Sequence, residues 1–546
     1  MKIGNVFKGG LFGLLAGVVT VAITYLGHLA AGLPYIPFDI FDWLARILPG
    51  RVVIASIEAM VAVIRGLRLG PTAATAKTAE MGMALIQFVG TWVIFGAALG
   101  LAGKKRPDRS ARYGALGGLI LFLSTAGVEW ARGFSEASPA VSLPWIAIVL
   151  VGGGTLLGRA LFAASPSADA APEDVLSRRR FLRLVGTGSF LVVVTASGVS
   201  IASRRKNRGG PAPDEEEIAR AAQTSGPAAS PPPAELEKRP PPVPGTRPEL
   251  TSNRDFYRID IDLHPPRVDG TAWRLKIEGL VERPLELSLE DIRSKPKQIQ
   301  ALTLSCISNP VGGDLIGTSF WTGLPLKDLL GEAGLKDGVR EISVESADGF
   351  YESVPLAEAL DGRTLLAYEM NGEPLAAEHG FPLRILIPGH FGMKQPKWIV
   401  RMEAIGRQGR GFWVDRNWSG TARVRTTSVI DVAAVDRRVP DSGIVPVGGI
   451  AFVGDRGISR VEVQADDGPW EEAALRRPAL GPLTWVQWRY DWRAATGRHV
   501  LRVRAFDGAG DLQVADEAPP YPDGATGIDR KSAGVPPPSL IPPGKS

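Results

Sequence analysis

Sulfur and imidazole are scarce in this chain: its 546 residues include one cysteine, Cys306, and five histidines. One thiol cannot close an intrachain disulfide. With no second Cys and no HxxxH spacing it cannot complete a four-ligand zinc site either. A cysteine-held iron–sulfur cluster and a haem attached through CxxCH are excluded on the same count. Neither sign of charge dominates, with 62 Lys+Arg against 57 Asp+Glu and a net charge of +5. The basic residues do not cluster on a stretch that reads as a folded surface, so nucleic acid is not an expected partner.

Charge is also missing locally. Residues 9 to 31, "GGLFGLLAGVVTVAITYLGHLAA", form an uncharged run longer than the roughly 20 apolar residues that cross a bilayer as helix. Similar runs at 81–103, 114–131, 143–162 and 181–202 bring the expectation to about five spans in a membrane domain over 1–203. The stretch 52–70 carries Glu58, Arg65 and Arg68 and reads as an amphipathic surface helix instead. "KKRPDRSAR" (104–112) and "SRRRFLR" (177–183) concentrate Lys and Arg, and five spans with the amino terminus inside place both on the cytoplasmic side. "SRRRFLR" also matches the twin-arginine export pattern, a route for folded, cofactor-loaded cargo. The expected location is a bacterial cell membrane, multi-pass, with the remaining two thirds of the chain outside the cytoplasm.

A proline-rich linker is expected over 204–249, where eleven prolines fall between Gly209 and Glu249. Beyond it, residues 250–420 mix strand-like runs ("WRLKIEGL", "REISVES", "FPLRILIPG", "KWIVRMEAI") with short helical ones ("SLEDIRS", "PLKDLLGEAG", "PLAEALDG"), as in an α+β domain. Residues 421–528 alternate apolar and polar positions around Asp-Gly turns and read as an immunoglobulin-like β-sandwich. Residues 529–546, rich in proline near their end, read as a disordered tail.

Cys306 sits where the apolar run "ALTLS" breaks into "ISNPVGGD". A thiolate is a soft ligand for a transition metal, and any further sulfur must come from a cofactor. The Gly312-Gly313 and Asn309-Pro310 pairs let backbone N–H groups approach such a group closely.

The motifs "TLSCISNPVGGDLIGTSFWTGLPLKDLL", "LLAYEMNGEPLAAEHGFPLRILIPGHFGMKQPKW" and "FYRIDIDLHPPRVDGTAWRLKIEG" resemble the molybdopterin domain of the sulfite oxidase family. The β domain with "YPDGATG" resembles the dimerisation domain that follows it there. The resemblance implies molybdenum with molybdopterin, Cys306 as the protein ligand of the metal, and a possible homodimer. It implies Asn309, His379, Arg384, Lys394, Lys397 and Asp260 around the cofactor, with Arg258 facing an oxyanion substrate and Arg416 and Trp418 at further active-site positions. Where vertebrate-type members follow the ligand with Asn and two arginines, this chain has Asn309-Pro310-Val311. Where they have Asn-His after the substrate arginine it has Ile259-Asp260, and Trp418 stands in the place of a tyrosine. The implied reaction is two-electron oxygen-atom transfer on a small oxyanion or oxo compound, without a commitment to sulfite.

The spans contain only His28, too few histidines for a membrane haem b, so a separate cytochrome or quinone-linked carrier is expected to handle the electrons. Membrane lipid is the other expected partner. Three other readings start from the same residues: a sulfoxide-type reductase of the same layout, a thiol enzyme in which His379 activates Cys306, and a non-catalytic surface module that keeps the fold without metal.

Overall fold

An uncharged run of twenty or more residues satisfies its backbone in an apolar setting only as helix, and the computed structural model bears this out. It describes residues 2–163 apart from 51, 54, 57–58, 61–62, 64–71, 104–108 and 134–136, then 233–433 apart from 237, and 443–535. Two units divide the chain: a helical one within 1–48 and 77–210 together with 261–263, and a larger β-rich one.

Among the described residues the helical unit has α1 (Lys2–Ala31), α2 (Ile36–Ile47), α3 (Thr72–Gly103), α4 (Ser110–Arg132) and α5 (Pro139–Ala163). Four of these, all but α2, are long and apolar enough to cross a membrane. The expected fifth span at 181–202 lies outside the described residues, as do the twin-arginine motif and most of the 52–70 stretch. Glycine lets the helices approach closely. A Cβ on Gly9 would stand 2.2 Å from the Gly96 carbonyl oxygen, and one on Gly114 2.2 Å from that of Gly154. Trp92, Ile146, Leu150 and Leu157 fill the centre, while Ile86, Ile94 and Ile148 face outward. The sequence reading did not anticipate α2, whose buried Asp39 pairs with Arg132.

The N-terminal part of the β-rich unit holds β1 (Leu275–Gly279), β2 (Leu285–Leu287), β3 (Gln298–Ser305), β4 (Ile316–Pro325), β5 (Glu341–Ser346), β6 (Tyr351–Pro355), β7 (Leu365–Met370), β8 (Glu373–Pro374), β9 (Arg384–Leu386) and β10 (Ile399–Ile405). One sheet runs β2-β1-β10-β5-β6; the other runs β3-β4-β7-β8, with β9 added on β7. All eight residues of β3 and all ten of β4 are buried, which requires cover on both faces. Gln300, inside β3, meets that condition by donating to the Arg363 carbonyl at 2.9 Å. The loop before the sandwich strand at 486 closes over β3: Thr303 N–H donates to the Leu483 carbonyl at 3.0 Å, and Trp485 N–H to the Thr303 hydroxyl at 2.9 Å.

The C-terminal part holds β11 (Thr427–Ala433), β12 (Ile444–Phe452), β13 (Ile458–Ala465), β14 (Trp470–Glu472), β15 (Ala474–Leu475), β16 (Val486–Arg493), β17 (Gly497–Asp507) and β18 (Asp529–Val535). Two four-stranded antiparallel sheets, β11-β12-β16-β15 and β14-β13-β17-β18, share one core built from Val445, Val447 and Trp488 on one side and Val461, Val463 and Val503 on the other. Residues 529–535, expected as tail, form β18. They pair with β17 over seven positions, and Ala533 and Val535 point into the core. The extended stretch before residue 250 is likewise anchored from Arg239 onward. Val243 is buried, Arg239 and Arg476 both pair with Glu249, and Arg247 pairs with Asp431.

Candidate active site around Cys306

Strand β3 delivers Cys306 into a turn. The Cys306 N–H donates to the Leu315 carbonyl at 2.9 Å, and its own carbonyl accepts the Asn309 N–H at 3.1 Å. Asn309 Oδ1 then accepts the Leu315 N–H at 3.0 Å, so its side chain pins the loop closed. The glycines are required by space: a Cβ on Gly313 would lie 2.2 Å from Asn309 Oδ1, and one on Gly312, at φ +70°, would lie 2.5 Å from Asp529 Oδ1. Cys306 is buried, its Sγ lies 2.9 Å from Ser308 Oγ, and burial pushes the thiol above its usual range. Among the described residues no group of three His, Cys, Asp or Glu side chains could hold a metal.

Near the thiol lies a cluster of cations, of which Arg384 is buried and Arg258 and Lys397 are partly so. Tyr257 stacks on Phe256 at 5.4 Å and interacts electrostatically with Cys306 and Arg384; burial, and then the Cys306 charge, raise its hydroxyl pKa. A Cβ on Gly392 would stand 3.0 Å from the Tyr257 hydroxyl and 3.6 Å from the Ser305 carbonyl, which brings this loop against the end of β3. Arg384 lies 5.0 Å over the Trp321 ring and donates to the His379 carbonyl at 3.1 Å; its Nε is buried without a partner. Burial lowers the Arg384 guanidinium to about 10. His379 Nε2 bonds the Asn253 carbonyl at 2.7 Å, and burial depresses the ring to about 4, so the imidazole is neutral and its Nε2–H is the donor.

Asp260, with no exposed side-chain surface, accepts from both Arg258 and Lys397. Lys397 also donates to the Glu378 carbonyl at 2.9 Å, and its pKa is pulled down to about 8 by burial against the opposing pull of Asp260. Arg258 and Lys397 thus pair with Asp260, and Arg384 lies within its electrostatic reach.

The remaining expected site residues are placed elsewhere. Lys394, expected at the cofactor, pairs with Glu352 at 2.7 Å, both nearly sealed from solvent. Trp418 lies in one apolar cluster with Ile307 and Phe391, edge-on to Tyr521 at 5.3 Å, with its indole N–H buried and unpartnered. Arg416 donates to the Phe412 carbonyl at 2.8 Å and lies over the Phe412 ring. Sequence reasoning missed Tyr257 and Ser308. The signal for Tyr257 was its place beside Arg258, and for Ser308 its place two residues after the lone thiol.

Comparison with known proteins converges on the same region. Residues 262–413 match the family profile described as "Oxidoreductase molybdopterin binding domain". Mitochondrial sulfite oxidase of Mus musculus is 30% identical over 328 residues, covering 51% of this chain and 60% of that one. Sulfite oxidase of Gallus gallus is 30% identical over 318 residues, covering 50% of this chain and 69% of its own. The uncharacterized oxidoreductase YuiH of Bacillus subtilis (strain 168) is 34% identical over 175 residues, covering 32% of this chain and 84% of its own. This chain thus spans 60% of the mouse protein's length. The residues present fit the implied group: one soft sulfur at Cys306, and near it Arg384 with its buried Nε left without an acceptor.

Proposed function

Because the chain belongs to the sulfite oxidase family of molybdopterin oxidoreductases, we propose that residues 250–535 carry out two-electron oxygen-atom transfer on a small oxyanion or oxo compound, with Cys306 as the protein ligand of molybdenum. The observation that carries this reading is a buried soft thiol in electrostatic reach of Tyr257, which in turn faces Arg384, whose Nε is buried without an acceptor. A buried donor left without an acceptor is costly, and an anionic cofactor would supply one. When bound, molybdopterin supplies the metal, the dithiolene sulfurs and a reservoir for two electrons.

The chain's own residues then bind and orient. Arg384, His379 and Lys397 hold the anionic cofactor, Arg384 through an Nε that lacks any other acceptor. Asn309 contributes by fixing the loop that presents Cys306. Arg258 meets the substrate oxyanion, and Asp260 fixes its direction by holding it from one side and Lys397 from the other. Trp418, packed with Ile307 beside Cys306, and Arg416 are assigned to the substrate side.

The thiol-enzyme alternative is disfavoured because a nucleophilic cysteine needs an activating base, and His379 Nε2 is spent on the Asn253 carbonyl. We extend the proposal to an extracytoplasmic catalytic region anchored by the apolar helices, an immunoglobulin-like C-terminal domain that pairs two copies, and a separate electron carrier.

The deciding experiment is molybdenum and pterin analysis of the full chain, made in a molybdenum-replete host, beside Cys306→Ser. About one molybdenum per chain with one pterin, lost or spectroscopically altered in the variant, is expected. A folded wild-type chain without either would overturn the reading.

A further inference from the structure

Within the cofactor reading given above, we infer that Ser308 is a positioning residue that tunes the cofactor's potential, because its hydroxyl donates a hydrogen bond to the Cys306 sulfur. Four observations carry the inference. The distance between Cys306 Sγ and Ser308 Oγ is 2.9 Å, well inside the range for a sulfur acceptor. The 3.1 Å bond from Asn309 N–H to the Cys306 carbonyl closes a turn whose two central residues are Ile307 and Ser308, so the fold itself turns the serine back onto the thiol. The backbone N–H groups of Ile307 and Ser308 are directed at the same sulfur. Asn309, pinned to Leu315, and Gly312, held under Asp529, leave the turn little freedom to open.

The direction of the bond follows from chemistry. Either atom could donate in the cofactor-free chain, but a thiolate that ligates a metal has no proton, so the hydroxyl must be the donor. A hydrogen bond withdraws electron density from the sulfur and strengthens as the metal gains electrons, which favours the reduced state and raises the potential. The serine therefore sets how readily the site gives up its electrons and never touches the substrate.

The test compares Ser308→Ala, and the equal-volume pair Ser308→Thr and Ser308→Val, with wild type in the full chain. Molybdenum and pterin content come first, followed by a redox titration of the Mo(V) paramagnetic signal. The expected result is full loading in wild type, a wild-type midpoint in the Thr variant, and a lower midpoint in Ala and Val. At a fixed applied potential their oxidised-to-reduced ratio should rise by about fivefold or more, the equivalent of one net hydrogen bond. Loaded Thr and Val variants with the same midpoint would overturn the inference and leave the cofactor reading intact. A wild-type chain that is folded but carries no molybdenum would overturn both. Should the Ala variant fail to load, the Thr and Val pair, which differ only in the hydroxyl, decides the matter.

Discussion

Glu352 and Lys394 form an ion pair at 2.7 Å in which neither partner has more than a tenth of its side chain exposed. The lysine side chain is committed to a carboxylate 42 residues away in sequence, and burial raises the Glu352 carboxyl even against that partner. The pair braces the loop carrying Met393 and Gln395 against β6 and is a structural element of the domain. Lys394→Met, which strands the carboxylate, should therefore cost about 3–5 kcal/mol of stability. Molybdenum content per folded chain should be unchanged. Denaturant unfolding of the detergent-solubilised chain, with metal analysis of the folded fraction, checks both halves.

Asp260→Asn removes the carboxylate that holds Arg258 and Lys397 together. Since the arginine's direction depends on that hold, kcat/KM for an anionic substrate should fall roughly 10- to 100-fold. Because the amide keeps the shape and hydrogen-bonding capacity but not the charge, stability should also fall, by a few kcal/mol at most, and the kinetics are read on the folded fraction. Steady-state kinetics on the best substrate from an oxyanion screen gives the answer.

His379 makes stability depend on pH. Its folded pKa is depressed by burial to about 4 from the usual 6.5, so between those values the unfolded chain takes up a proton that the folded one refuses. Stability of the cofactor-free chain should therefore fall as pH drops from 6.5 toward 4, by a total on the order of 3 kcal/mol. In His379→Gln that component of the slope should vanish. Denaturant midpoints at pH 7.5, 6 and 5 for both proteins test it.

Gly96→Val should break the contact between α1 and α3, where a Cβ at Gly96 would stand 2.3 Å from the Gly9 carbonyl oxygen. No rotamer relieves a clash with backbone, so the yield of folded chain in detergent should drop severalfold, whereas the same change at Gly90, which has open space around it, should be tolerated. Size-exclusion profiles of the two variants make the comparison.

Much of the β-rich unit was legible in the sequence because its signals are local. The run "ALTLS" is β3, the break after it is the Cys306 turn, and "ADDGPW" is the hairpin between β13 and β14. Long-range pairing was not legible. Nothing near "GMKQPKW" announces Glu352, the carboxylate that pairs with Lys394. The strand β18 was hidden by composition: "DRKSAGV" is polar and precedes a proline-rich stretch, and only its pairing with β17 makes it a strand. Tyr257 was overshadowed by the arginine beside it, and its nearness to Cys306, 49 residues on, emerges only when the loop at Gly392 folds over both.

The carboxylate of Asp529 roofs Gly312 in the Cys306 loop and accepts the Ile430 N–H at 2.8 Å, so the loop's outer wall is built by the last described strand. Synthesis runs from amino to carboxy terminus, and domains fold as units while they emerge. The turn that carries Cys306 therefore cannot acquire its finished shape until some 220 further residues have left the ribosome, from Cys306 to Asp529. A chain interrupted before β18 would hold its thiol in a loop that has no roof.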